Sequence, residues 1–124
     1  MLSRKACNML SRKACNRLYK ELFNKCMELI VLETLNKESM HGMDINKYIG
    51  ERFIPINESS LYSHLRRMRR DKLIETSEFS RTLRGPDRRK IPYRITEKGR
   101  ERLEEQKGDF GSFADDMDRL FRYV

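Results

Sequence analysis

"NESSLYSHLRRMRRDKLIE", residues 57–75, is the stretch on which the reading of this chain turns. Asn57 can cap a helix, because its side-chain oxygen can accept from amides of the first turn. Glu58 suits the positive end of the helix dipole, and Lys72 lies close to the negative end. At 3.6 residues per turn Leu61, Leu65 and Met68 fall on one face, with His64 at its edge. Ser59, Ser63, Arg66 and Arg70 then occupy the opposite stripe, with Ser60, Tyr62 and Arg67 on its flanks. If the apolar face is buried, the outward surface is small and polar at its start and cationic toward its end. That gradient suits a helix entering a DNA major groove N-terminus first: serines permit close approach to base edges, and arginines reach guanines or phosphates. A membrane-surface helix would need a wide exposed apolar face, whereas this one is narrow and needed for the core.

Upstream, Leu18, Leu22, Cys26, Leu29 and Ile30 recur at helical spacing with Phe23, Met27 and Val31 beside them, which predicts a buried helix ending near Asn36. "KESMHGMDINKYIGERF" (37–53) predicts a turn and a second helix, with Ser39 as its cap and Met43, Ile45, Tyr48 and Ile49 as apolar surface. Gly50 and Pro55 are expected to close it. Downstream, "LIETSEF" (73–79) and "IPYRIT" (91–96) read as short strands around "SRTLRGPDRRK", where Gly85 and Pro86 supply a turn. Ile91, Tyr93 and Ile95 alternate as in a half-buried strand, and Pro92, which cannot donate to a ladder, predicts an edge. Thr96 can cap a last helix in which Leu103, Phe110, Phe113, Met117, Leu120 and Val124 follow heptad spacing with Phe121 alongside. Gly108 and Gly111 are expected to interrupt it. Three helices, a basic two-stranded ribbon and a final helix make a mainly α fold with a small β-wing, the arrangement of a winged helix-turn-helix.

The charge is segregated in the way such a fold would use. The 124-residue chain, the size of a single domain, carries a net charge of +8. Residues 59–100 hold 13 Lys/Arg against 5 Asp/Glu, while residues 101–124 hold 4 against 7. A localised basic excess points to a polyanionic partner. The second cluster, Arg81, Arg84, Arg88, Arg89 and Lys90, falls on the loop between the strands, where wetting a helix explains nothing. The bland alternative, that "RRMRR" is only a solvated face, leaves that loop unexplained. Three cysteines, Cys7, Cys15 and Cys26, form neither a disulfide framework nor a CxxC metal site. No segment approaches the ~20 apolar residues of a membrane span, and no signal peptide is legible, so a soluble, cytoplasmic protein is expected. The first sixteen residues are "MLSRKACN" written twice, each copy opening on Met. This is read as a duplication or a displaced start, with a phosphate-touching arm as the functional alternative.

Other classes find less support. His41 and His64 are the only histidines, and no nucleophile-base pair, phosphate loop or metal-ligand spacing accompanies them, so no enzyme, cofactor or metal is expected. Cys26 on an apolar stripe reads as core rather than redox sensor. The serious alternative is a winged-helix module that binds RNA or a protein partner without operator specificity. Double-stranded RNA offers a major groove too narrow for a helix.

"MHGMDI", "NESSLYSHLRRMRRDKLIE" and "PDRRKIPYRITEKGRERL" together resemble the PadR family of winged-helix transcriptional regulators, over about residues 22–105. The most specific pieces are His41-Gly42, Leu61-Tyr62 with Leu65-Arg66-Arg67, and Tyr93-Arg94-Ile95-Thr96-Glu97-x-Gly99. The resemblance implies a homodimeric repressor whose third helix reads the major groove of an inverted-repeat operator, whose wing meets adjacent backbone or minor groove, and whose N- and C-terminal helices build the dimer. Leu22, Leu103, Phe110, Phe113, Met117, Leu120 and Phe121 are the interface residues expected on that basis. The organisation expected is a duplicated basic arm (1–16), a DNA-binding domain (17–98) and a C-terminal dimerisation helix (99–124). The chain departs from the family's pattern in its arm, in Pro92 where an aromatic is usual, and in having no Trp. The last point argues against an inducer held between interface aromatics, and no inducer is named.

Overall fold

A computed structural model of the chain describes residues 16–76 and 91–123. The N-terminal arm with Cys7 and Cys15, the loop with Arg81, Arg84, Arg88, Arg89 and Lys90, and Val124 lie outside the described residues. The elements run α1 (Asn16–Lys25), α2 (Met27–Lys37), β1 (Met40–His41), α3 (Gly42–Arg52), α4 (Glu58–Arg70), β2 (Ile74–Thr76), β3 (Pro92–Ile95) and α5 (Glu97–Arg122). They form a mainly helical fold with a three-stranded antiparallel sheet in the order β1-β3-β2.

The expected first helix is two. At Cys26 the backbone departs from helical geometry (φ −93°, ψ 8°), and its amide is shared between the carbonyls of Leu22 (3.0 Å) and Phe23 (3.1 Å). The stripe expected to be buried is also displaced. Leu18 and Leu22 are 64% and 49% exposed, while the flanking Phe23, Met27 and Val31 are buried. The reason is that α2, not α1, lies under α4, β3 and α5, so the face turned toward them is the covered one. Thr34 is buried on α2 and donates its hydroxyl to the Ile30 carbonyl at 2.8 Å, which satisfies it without a tertiary partner.

Ser39 does not cap the second helix. Residues 40 and 41 are extended because they pair with β3 (Met40 with Tyr93, His41 with Pro92), and α3 begins only at Gly42 with no side-chain cap. Gly50 does not close it either: α3 continues to Arg52, and the Phe53 amide bonds the Ile49 carbonyl at 2.9 Å. Met43 is 52% exposed, leaving Ile45 and Ile49, both fully buried, to anchor the helix. β3 is the central strand, not an edge. Pro92 is accommodated because it is the strand's first residue.

Leu61, Leu65 and Met68 of α4 meet Val31, Leu32, Ile45, Ile49, Leu73, Ile74, Ile95 and Leu103 in one core, each side chain 7% exposed or less. α4 ends in a Schellman turn: the Leu73 amide bonds the Met68 carbonyl (2.9 Å), the Lys72 amide bonds the Arg69 carbonyl (3.0 Å), and Lys72 takes a left-handed φ of 63°. Thr96 caps α5 by accepting from the Gly99 amide (3.0 Å), and its hydroxyl points at the carbonyls of Lys72 (2.7 Å) and Leu73 (3.0 Å). One side chain thus pins the start of α5 to the end of α4. α5 runs unbroken through Gly108 and Gly111. A Cβ at either would have no atom within 4 Å, so each glycine costs propensity but marks no bend.

Candidate nucleic-acid interface

α4 presents the surface its sequence promised. The Asn57 side chain accepts from the Ser60 amide at 3.2 Å, which starts the helix where expected. Ser59, Ser63, Arg66, Arg67 and Arg70 are exposed, and Ser60 and Tyr62 are half-buried on the flanks. Arg66 donates to the Ser63 hydroxyl at 3.2 Å, and Arg70 stands 3.8 Å from the Asp71 carboxylate. Ser63 and Arg66 are therefore linked on the outward stripe, not packed beneath other parts of the chain.

The two flanks are held differently. On one, Tyr62 packs over the start of α3, where a Cβ on Gly42 would lie 2.6 Å from the ring's Cε1 and Oη. Gly42 and Tyr62, distant in sequence, thus pack directly against each other and seat α4 close to the start of α3. On the other flank, Arg67 Nη2 lies 2.8 Å from His64 Nδ1. Partial burial pushes the His64 imidazole below its ordinary pKa, the Arg67 guanidinium pushes it further, and Glu28 of α2 opposes both. At the root of the wing, Arg94 pairs with Glu75 across the strands at 2.8 Å.

His64 as the partner of Arg67 and glycine as the seat of Tyr62 were not singled out from sequence. The first had a signal in its i, i+3 spacing; the second needed the packing of two helices to become visible.

The residues expected at a dimer interface divide. Leu22, Phe110, Phe113, Leu120 and Phe121 are between 49% and 71% exposed, and Met117 is half-buried. Leu103 is 1% exposed inside the chain's own core and has no surface to offer a partner. It is covered because the first half of α5 lies on α2, joined to it by Arg102–Glu28 (3.6 Å), Lys107–Glu33 (2.8 Å) and a Gln106 to Glu28 hydrogen bond (3.2 Å). The Glu33 hydrogen bond holds the Lys107 pKa above its usual value. Among the described residues no three His, Cys, Asp or Glu side chains gather as a metal site, and no helix is long and apolar enough to cross a membrane.

The model of the PadR-like family of transcriptional regulators matches residues 31–105. A PadR family regulator from Eggerthella lenta superposes with a TM-score of 0.75 at 23% identity, covering 91% of this chain and 96% of that one. A PadR-like regulator from Bacillus cereus gives 0.68 at 28% identity, covering 82% and 96%. Bacillus subtilis PadR, solved in complex with operator DNA, gives 0.52 at 23% identity, covering 64% of this chain and 44% of that one. No curated protein matches by sequence.

Proposed function

Because the chain belongs to the PadR-like family, whose members are transcriptional regulators and not enzymes, we propose that it binds double-stranded DNA sequence-specifically as a homodimeric repressor. The observation that carries this reading is the outward stripe of α4. Ser59, Ser63, Arg66 and Arg70 are solvent-facing opposite a face that is wholly in the core, which is what a helix inserted into a major groove requires. Ser63, Arg66 and Arg67 are assigned to base edges, and Arg70 to the groove's flanking phosphates. Arg81, Arg84, Arg88, Arg89 and Lys90, assigned from sequence to the wing, are proposed to meet the adjacent backbone.

The dimer reading is supported by exposed apolar surface on two helices, Leu18 and Leu22 on α1 and Phe110, Phe113, Leu120 and Phe121 on α5. Large apolar residues left bare on two helices of a charged chain call for cover. A twofold dimer would set two α4 helices in successive grooves, with half-site centres about 10 bp, or a multiple, apart. Repression would follow from occluding polymerase.

Fluorescence anisotropy on matched DNA and RNA duplexes tests the class of ligand; equal binding to both refutes the reading. Arg66→Ala or Ser63→Ala is expected to lose about 1–3 kcal/mol on the preferred duplex and relax one position. Arg88→Ala or Arg89→Ala is expected to weaken all sequences alike and lower the salt slope by about 1. Met117→Asp is expected to split the dimer in sedimentation, and an unaffected dimer places the interface elsewhere.

A further inference from the structure

The His64–Arg67 contact is more than a surface hydrogen bond. Arginine carries about 2 kcal/mol of rotamer entropy, so a guanidinium already held in place loses less freedom when it meets a phosphate or a base. Only a neutral imidazole with its proton on Nε2 leaves Nδ1 free to accept from Arg67. We propose that His64 is a positioning residue: as a neutral acceptor it holds Arg67 on the flank of α4, and when it takes up a proton the preference for one DNA sequence over bulk DNA falls.

The inference rests on the proposal that α4 lies on DNA. Its geometry stands on the 2.8 Å contact between groups one helical turn apart. The surroundings favour the neutral acceptor. Arg67 on the same helix is a cation, and Glu28, the facing carboxylate of α2, is engaged by Arg102 and Gln106 of α5. Burial and Arg67 hold the imidazole below its ordinary range, so it is neutral at physiological pH and takes up its proton only below that range. Protonation has two opposed effects. It removes the acceptor and sets a cation beside Arg67, which frees the guanidinium; it also adds a positive charge near the phosphates, which favours any duplex. The net result is lost discrimination rather than lost binding.

The test uses the whole protein with two probes at constant ionic strength: a duplex selected by the wild-type protein from a random-sequence library, and sheared bulk DNA. Between pH 8.0 and the pH at which imidazole nitrogen shifts show His64 protonated, the affinity ratio is expected to fall roughly three- to tenfold, the worth of one net hydrogen bond. His64→Gln, which keeps an acceptor but cannot titrate, is expected to retain the pH 8.0 ratio at both pH values. His64→Ala is expected to show the lowered ratio at both. Circular dichroism melts at each pH establish that all the proteins stay folded. Imidazole nitrogen chemical shifts read the free protein independently of DNA, and the Nε2-protonated tautomer is expected at pH 8.0. The opposite tautomer, or a wild-type ratio and pH profile in His64→Ala, overturns the proposal. If Arg67→Ala weakens binding while His64→Ala does not, positioning alone fails. If Arg67→Ala leaves affinity for both probes unchanged, this flank of α4 is not on DNA and the underlying reading fails with it.

Discussion

Gly99→Ala provides a sharp test of how α5 is seated. A Cβ at this position would lie 2.1 Å from the Leu73 carbonyl oxygen and 2.8 Å from Ile95 Cγ1. An ordinary carbon–oxygen contact is about 3.3 Å or more, so the helix start and the Leu73 carbonyl must separate by roughly 1 Å. That carbonyl accepts from the Thr96 amide at 3.1 Å and lies 3.0 Å from its hydroxyl. Separation therefore strains the cap that ties α5 to α4. Overpacking costs about 1–3 kcal/mol, and the weakened hydrogen bonds cost about 0.5–1.5 kcal/mol each. Alanine returns about 1 kcal/mol of helix propensity. The net is a destabilisation of about 3 kcal/mol, and at roughly 4 °C per kcal/mol the melting temperature falls by about 12 °C. Gly108→Ala is the control from the same helix: it gains the same propensity and meets nothing, so it is expected to stabilise by up to about 1 kcal/mol. Guanidinium unfolding at one fixed protein concentration measures both. Equal and positive effects at the two glycines would refute the reasoning.

Three further outcomes are expected. Lys72→Gly relieves a left-handed backbone at the end of α4 and should stabilise by about 1 kcal/mol; a loss in denaturant unfolding would mean that the Lys72 side chain, not its φ, matters there. Asn57→Ala removes the cap of α4 and should cost about 0.5–2 kcal/mol, read in the same assay; no loss would show that the cap bond is dispensable. Folding holds His64 below its ordinary pKa of 6.5, so the unfolded chain takes up this proton first as the pH falls. The stability tied to neutral His64 is complete above about pH 6.5 and declines below it. The stability difference between the wild type and His64→Gln should therefore be constant above about pH 6.5 and shift against the wild type below it, and a difference that stays constant at every pH would contradict the shift.

Much of the fold was legible in the chain because its signals are local. The Asn57 and Thr96 caps, the apolar face of Leu61, Leu65 and Met68, and the segregated charge depend on residues within a turn or two of each other, where helical periodicity and capping act. The outward stripe of α4 was legible for the same reason, as the complement of a buried face. The errors fell where a distant segment intervened. Ser39 lost its capping role because β3 pairs with residues 40 and 41, and Pro92 entered a central strand because that same pairing adds a third strand to the ribbon. Leu103 joined the core instead of a subunit interface because α5 lies on α2.

Periodicity states which face of a helix is apolar; it does not state what covers that face. The chain by itself determined the order of its main helices and of the two ribbon strands, and the cationic edge that α4 turns outward. Only the packing of α5 on α2 and of Tyr62 over Gly42 decided which apolar residues the monomer uses and which it leaves bare, because burial is a property of the partners that the fold brings together across tens of residues.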